Sequence, residues 1–337
     1  MVIVHISGGL GNQMFQYAMG RQLALLRHAD LKLDLSEYRS GNDRRAAGLE
    51  AFTRKVGLHS LRISAAEASP AEKARLADPH TRGTVFSRFA LRSIRRILPG
   101  FLFPASHLRE KHYRFDAGVT NGGGDVYVDG FWQSYRYFQG ISDIIREEFR
   151  PADAGIEDYA RKYVEKLKEP GGSVVGLHVR RGDLAHAHEI LKKTSIVHGS
   201  PVSTDYISAA MAHFDESARF LVFSDSAADI DWCRKNVRSD RLYFSENHTD
   251  LVDMNIMSRC DHNIIANSTF SWWAAWLNQT PGRRVIAPGI WHSPGAPSAI
   301  PLDDLIPADW EIVRHDSEPL RKPQVADQSL SEPVQFS

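Results

Sequence analysis

Arg180 and Arg181 follow an apolar run, residues 174–179, and stand just before Gly182-Asp183. The run reads as a buried strand and Gly-Asp as a turn, so both guanidiniums fall where a strand gives way to a loop. In open α/β sheets that carboxyl edge is where ligands bind. Paired guanidiniums in a crevice suit a phosphate, because each planar fork can give two parallel N–H bonds to phosphate oxygens. An arginine pair can also bridge surface acids. His178, two residues before Arg180, and Asp183, two after Arg181, favour the phosphate.

Two further runs end in residues suited to the same ligand. Ala266-Asn267-Ser268-Thr269-Phe270-Ser271 passes from a strand into a helix bearing Trp272, Trp273 and Trp276. Backbone N–H groups and the helix dipole make such an N-terminus an anion site, with plain N-capping by Ser268 or Thr269 as the competing role. The tryptophans read as core. Phe223-Ser224-Asp225 ends another strand, where Asp225 could accept from a guanine edge or a ribose hydroxyl, or cap the next helix. Three strand ends presenting Arg-Arg, Ser-Asp and Ser-Thr to one crevice read as a nucleoside diphosphate site with no required metal, the arginines neutralising charge that a divalent ion would otherwise handle. Asp229-Ile230-Asp231 falls inside a helical run, and no His/Cys spacing suggests zinc.

The first turn, Gly8-Gly9-Leu10-Gly11-Asn12-Gln13, admits three readings. Gly9 and Gly11 match two glycines of a dinucleotide fingerprint and Asp34 follows at a distance suited to a ribose, but Met14 stands at the third glycine. Alternatively the glycines let a sugar or phosphate approach the backbone, with Asn12 and Gln13 supplying amide hydrogen bonds at a helix N-terminus. The third reading is a tight turn capped by Asn12.

Positioning these groups requires alternating strands and helices. Residues 2–6 and 31–35 read as strands around a helix over 13–27, a β-loop-α-β unit. Residues 125–129 read as another strand and 132–149 as a long aromatic helix. A charged helix lies between Pro151 and Gly172, a plausible domain boundary. Beyond it, strand-like runs at 174–179, 220–223, 242–244, 264–266 and 285–287 alternate with helix-like runs at 205–214, 228–236, 250–258 and 271–279, which predicts a mostly parallel sheet covered on both faces. Residues 40–120 show weak periodicity. Within them, 85–98 can form a basic amphipathic helix that suits either a core cover, the favoured reading, or an anionic membrane surface.

A chain of 337 residues exceeds the usual reach of a single core, so two domains are expected. Lys plus Arg equals Asp plus Glu at 41 each, which argues against a broad nucleic-acid footprint. Two cysteines, Cys233 and Cys260, give no disulfide framework and fit a reducing compartment. No apolar run approaches the length of a membrane span, and the N-terminus reads as a first strand and not as a signal peptide. Residues 319–337 read as a disordered tail.

Several separated motifs resemble the bacterial-type α-1,2-fucosyltransferases, glycosyltransferase family 11. They are Gly8-Gly9-Leu10-Gly11-Asn12-Gln13-Met14-Phe15-Gln16-Tyr17-Ala18, His178-Val179-Arg180-Arg181-Gly182-Asp183, His198-Gly199 followed by Asp205-Tyr206, and 263–273 from Asn263 to Trp273. The resemblance implies a GT-B-like α/β fold of two Rossmann-like domains facing across a cleft, 1–155 on the acceptor side and 156–318 on the donor side. It implies inverting transfer of L-fucose from GDP-β-L-fucose to the 2-hydroxyl of a galactoside, an oligosaccharide or lipid-linked glycan of the kind used in surface-glycan or O-antigen synthesis. No metal cofactor is implied. The enzyme is expected in the cytoplasm, with contact to the inner membrane face left open.

By the same resemblance Arg180 contacts the donor diphosphate, His178 lies near the nucleotide, Ser268, Thr269 and Phe270 form a phosphate-binding turn, and Asn12 faces the reacting centre. Arg181, Asp225, Gly9, Gly11 and Gln13 complete the expected donor site. Asp183 is the first choice for a base, and orienting Arg180 is the role favoured for it over that. The rival readings are an NAD-dependent oxidoreductase and a sugar-nucleotide-binding module without catalysis.

Overall fold

The computed structural model describes residues 1–39, 55–76, 106–169, 171–181, 202–291 and 301–313, and the backbone of Pro319–Leu320. Its strands form two sheets. The first has the order β3-β2-β1-β5-β4, built from β1 (Val2–His5), β2 (Leu31–Asp34), β3 (Ala66–Glu67), β4 (His107–Arg109) and β5 (Val126–Asp129), all paired parallel. The second has the order β12-β11-β10-β9-β6-β7-β8. It comprises β6 (Val174–His178), β7 (Arg219–Phe223), β8 (Leu242–Phe244), β9 (His262–Ile264), β10 (Val285–Pro288), β11 (Glu311–Val313) and β12 (Pro319–Leu320). Only the β11–β12 pair is antiparallel among these. The chain is thus an α/β protein with parallel sheets, as its alternating runs predict.

Parallel neighbours need crossovers, and helices supply them. They are α1 (Leu10–Leu26), α2 (Pro70–Leu76), α3 (Ser142–Glu148), α4 (Ala154–Lys168), α5 (Thr204–Met211), α6 (Ala227–Asn236), α7 (Asp250–Met257) and α8 (Thr269–Leu277). In β6, Val174 joins one apolar cluster while Val175 and Leu177 join another. Both faces of the sheet are therefore buried, which is why the run is continuously apolar and does not alternate.

The two sheets share one core. Helices α1 and α8 pack against each other, with the Phe15 ring 4.6 Å from Trp272 and 4.9 Å from Trp273. Trp273 stacks on Phe138 at 5.1 Å. The tryptophans are buried, as expected, and one apolar cluster runs from Val2 and Phe15 through Trp272 and Trp273 to Trp310.

One element departs from expectation. Residues 132–149 form no single long helix. They form two 3-10 turns, Tyr135–Tyr137 and Gln139–Ile141, followed by the short α3. Trp132 sits at φ 55°, outside the helical region, and the Ser134 hydroxyl accepts from Arg136 N to start the first turn. The segment turns sharply to bury Trp132, Tyr137 and Phe138. Among the described residues no helix is long and apolar enough to cross a membrane. The basic segment 85–98 and the tail from 321 onward lie outside the described residues.

Candidate functional site

In the second sheet the chain adds strands outward from β6 in one direction, through β7 and β8, and from β9 in the other. The carboxyl ends of β6 and β9 therefore flank a topological switch point, the crevice where such sheets bind ligands. Arg180 lies just past β6 and Ser268 just past β9. The Arg180 Nη1 donates to Ser268 Oγ at 3.5 Å, so the structure brings these two expected site residues together.

Ser268 is the N-cap of α8, yet its side chain makes no capping bond. Thr269, the first helical residue, turns its Oγ1 to Asn12 Oδ1 at 2.9 Å. Neither hydroxyl satisfies the first-turn N–H groups, so the capping role is not the one these residues take. The positive end of the α8 dipole faces the crevice beside a guanidinium, an arrangement that suits a diphosphate.

His178 is 3% exposed and its ring lies 5.4 Å from that of Phe270. Burial, and then the Arg180 charge, lowers its pKa to about 3. It is a neutral imidazole whose Nδ1 has no hydrogen-bond partner among the described residues. Asp225 is exposed at the end of β7, at the same edge.

Arg181 is used differently. Adjacent residues in an extended chain point to opposite sides. The Arg181 guanidinium lies 3.7 Å from the Trp232 ring centre and gives Nη1 to Val202 O at 2.6 Å, while its backbone N donates to Asp229 Oδ2 at 2.6 Å. It braces α6 against the strand end. Arg180, not the pair, faces Ser268. Tyr206 likewise serves the core, its hydroxyl donating to Ile265 O at 2.7 Å.

The first sheet meets this site through α1. Asn12 Oδ1 accepts from both Thr269 Oγ1 and Gln133 Nε2, the latter at 3.0 Å. Gln133 carries no sequence signal for this role, because the aromatic spacing of 132–149 predicts one helix whereas Gln133 lies in a loop. Its loop is held by Glu110, whose carboxylate accepts from Phe131 N at 2.7 Å and Trp132 N at 3.1 Å. Burial pushes the Glu110 pKa up to about 7 against those two bonds.

The remaining residues of the first turn divide. Gly8 has φ +78°, which L side chains rarely adopt. A Cβ on Gly11 would fall 2.5 Å from the Thr269 backbone carbon and 2.6 Å from Phe270 N, so this glycine is needed for the contact between α1 and α8. Trp273 Nε1 donates to Gly11 O at 3.0 Å in the same contact. A Cβ on Gly9 would meet nothing within 4 Å among the described residues. Gln13 is fully buried: its Nε2 donates to Gly8 O and Lys55 O, and its Oε1 accepts from Gly57 N at 2.8 Å. It ties residues 55–57 to the turn.

Asp34, the ribose candidate of the dinucleotide reading, is 5% exposed and holds Lys73 Nζ at 3.0 Å and the Tyr127 hydroxyl at 2.8 Å. Burial raises its pKa, but these bonds and that from Ser36 N leave it below the ordinary value. Both cysteines are free and buried. No group of three His, Cys, Asp or Glu side chains able to hold a metal ion occurs among the described residues. Asp183, with Gly182, His186, His188, Glu189 and His198, lies outside the described residues.

The profile of Glycosyl transferase family 11 matches residues 70–297. An alpha-1,2-colitosyltransferase of Escherichia coli is 32% identical over 300 residues, covering 86% of this chain and 92% of that protein. The O-antigen biosynthesis glycosyltransferase WbnK of Escherichia coli is 28% identical over 320 residues, covering 89% and 98%. A galactoside alpha-(1,2)-fucosyltransferase 1 of Aotus azarae is 27% identical over 160 residues, 44% of this chain and 42% of its own length. The chain belongs to glycosyltransferase family 11.

Proposed function

We propose that the chain is an inverting glycosyltransferase that moves L-fucose from GDP-β-L-fucose to the 2-hydroxyl of a galactoside, in the synthesis of a surface glycan. The observation that carries this reading is the approach of Arg180 to Ser268 at the switch point of the second sheet, within a family 11 chain. In it the two sheets mark two Rossmann-like units of GT-B type, 1–155 and 156–318, and the donor lies against the second. Arg180 and the α8 N-terminus take up the negative charge that grows on the departing GDP. Because a guanidinium and a helix N-terminus do this, transfer needs no metal and should survive a chelator. His178 and Phe270 flank the nucleotide, Asp225 accepts from it, and Asn12 Nδ2 donates toward the reacting centre. Asp183 orients Arg180.

A second donor is favoured by one observation, the 32% identity to an alpha-1,2-colitosyltransferase. Colitose is L-fucose without its 3-hydroxyl, so the same diphosphate site would serve either sugar. Engagement of Asp34 with Lys73 and Tyr127 weighs against an NAD enzyme.

The test is GDP release from GDP-fucose and from GDP-colitose against a panel of galactosides, with NMR of the product linkage. An α-1,2-linked product from either donor supports the reading and names the sugar. GDP binding with no release in any combination points to a binding module. A thermal shift with NAD and none with GDP would overturn the proposal.

A further inference from the structure

Four neighbouring strands of the first sheet end in ionisable residues at one level. His5 is in register with Asp34 and Arg109 with Asp129, while Val4 pairs with Val128 and so sets His5 beside Asp129. The row runs Asp34, His5, Asp129, Arg109 across β2, β1, β5 and β4. Strands β1 and β5 are neighbours at the centre of this sheet, so His5 and Asp129 meet at the middle of its carboxyl edge. Val4 faces α1, since a Cβ on Gly20 would fall 2.1 Å from Val4 Cγ2. His5, the next residue, faces the opposite side.

The contacts within the row are directional. His5 Nδ1 lies 3.3 Å from Asp129 Oδ1. Asp129 Oδ2 accepts from Arg109 Nε at 3.1 Å and lies 3.7 Å from His107 Nε2. With Nδ1–H directed at the carboxylate, Nε2 of the neutral ring is the acceptor. No protein bond to Nε2 occurs among the described residues, and the side chains of His5 and Asp129 both keep 26% exposure. Asn12, which joins the donor side at Thr269, lies on the helix that follows β1 directly.

We propose that His5, held by Asp129, takes the proton of the attacking acceptor hydroxyl, an assignment that rests on the transferase reading above. The acceptor oxygen bonds to C1 of the donor sugar as the C1–O bond to the diphosphate breaks. The electron pair leaves on GDP, and the acceptor proton passes to His5 Nε2 and then to solvent. Asp129 stabilises the imidazolium so formed, and Arg109 and His107 hold Asp129.

The groups facing His5 are Asp129 on β5, Asp34 on β2 and Glu37 on the one-turn helix Ser36–Arg39, with His107 and Arg109 of β4 behind Asp129 and Lys73 of α2 behind Asp34. Burial draws the His5 pKa down, but the Asp129 bond and the three carboxylate charges leave it above 6.5. Transfer therefore rises with pH as His5 loses its proton.

The test is the pH profile of kcat/KM for transfer, with GDP affinity measured in parallel. His5→Gln should lower kcat by about 10²–10⁴ and abolish the acidic limb, while GDP binds as in the wild type. Asp129→Asn should move that limb to lower pH, a shift that a merely structural role would not produce. The wild-type profile must itself carry an acidic limb with the ionisation heat of an imidazole. Its absence, or a His5→Gln enzyme with an unchanged limb, overturns the assignment while leaving the donor site intact. Loss of the limb in Asp183→Asn and not in His5→Gln gives the base to Asp183. If the wild type binds no GDP, the transferase reading fails and this inference with it.

Discussion

Arg180 is the residue on which the proposed donor site turns. It is partly buried between a neutral His178 and the N-terminus of α8, so its charge acts where water screens it little. Arg180→Ala is expected to keep the melting temperature and to lose about 10²–10³ in kcat, as for removal of one group that stabilises developing charge. Steady-state rates beside thermal melts check this. Its neighbour is expected to behave otherwise. Arg181→Ala removes the stack on Trp232 and should lower the melting temperature more than it lowers kcat. The pair was legible as a strand-end motif, but the opposite facing of adjacent extended residues turns only Arg180 toward Ser268 and sets Arg181 against Trp232.

Asp34 carries a pH prediction. Its folded pKa is lowered, so the stability it contributes is full above the ordinary value of 3.8 and is lost as pH falls through the depressed one. Asp34→Asn should cost about 3 kcal/mol near neutral pH, because it leaves Lys73, only 9% exposed, without its partner. It should also flatten the acid decline. Urea titrations at neutral and acid pH measure both effects, and an unchanged midpoint at neutral pH would contradict the pairing.

Among the elements, α1 and α8 matter most, because their N-termini touch where the two sheets meet. Gly11 makes that possible, and its reason could not be read locally: the atoms a side chain would strike belong to Thr269 and Phe270, far along the chain. Gly11→Ala should destabilise the protein by about 1–3 kcal/mol and reduce activity with it. Gly9→Ala meets no atom of the described residues within 4 Å, so it should keep stability, and a loss of GDP affinity there would mark Gly9 as a donor contact. Paired melts and GDP titrations of the two variants separate packing from binding.

Long apolar strands were readable to within a residue or two, since burial on both faces leaves uninterrupted runs. The two- and three-residue strands β3, β4, β11 and β12 leave no such mark. The aromatic stretch 132–149 misled because its rings are spaced for a helix, whereas the shared core pulls Trp132, Tyr137 and Phe138 inward from separate turns. Gln133 and its bond to Asn12 were lost with it.

For the whole molecule, two parallel sheets turn their carboxyl edges to a common region joined by the Asn12–Thr269 bond. The switch point of the second sheet carries Arg180 and Ser268, and the carboxyl edge of the first carries His5 and Asp129. The approach of Arg180 to Ser268 in the second sheet was legible because arginine and strand-to-helix turns are strong local signals. The first sheet's row was not, because it appears only once register sets four separate strands side by side. Because the apolar core runs through both sheets, GDP is expected to raise a single cooperative melting transition, not one of two. Calorimetry with and without GDP shows which occurs.

The central claim is that a diphosphate binds between Arg180 and the start of α8. A crystal structure of the complex with GDP tests it most directly. The expected result is phosphate oxygens within hydrogen-bond distance of the Arg180 guanidinium and of the backbone N–H groups that open α8. GDP bound away from both, with Arg180 still turned to Ser268, would contradict it.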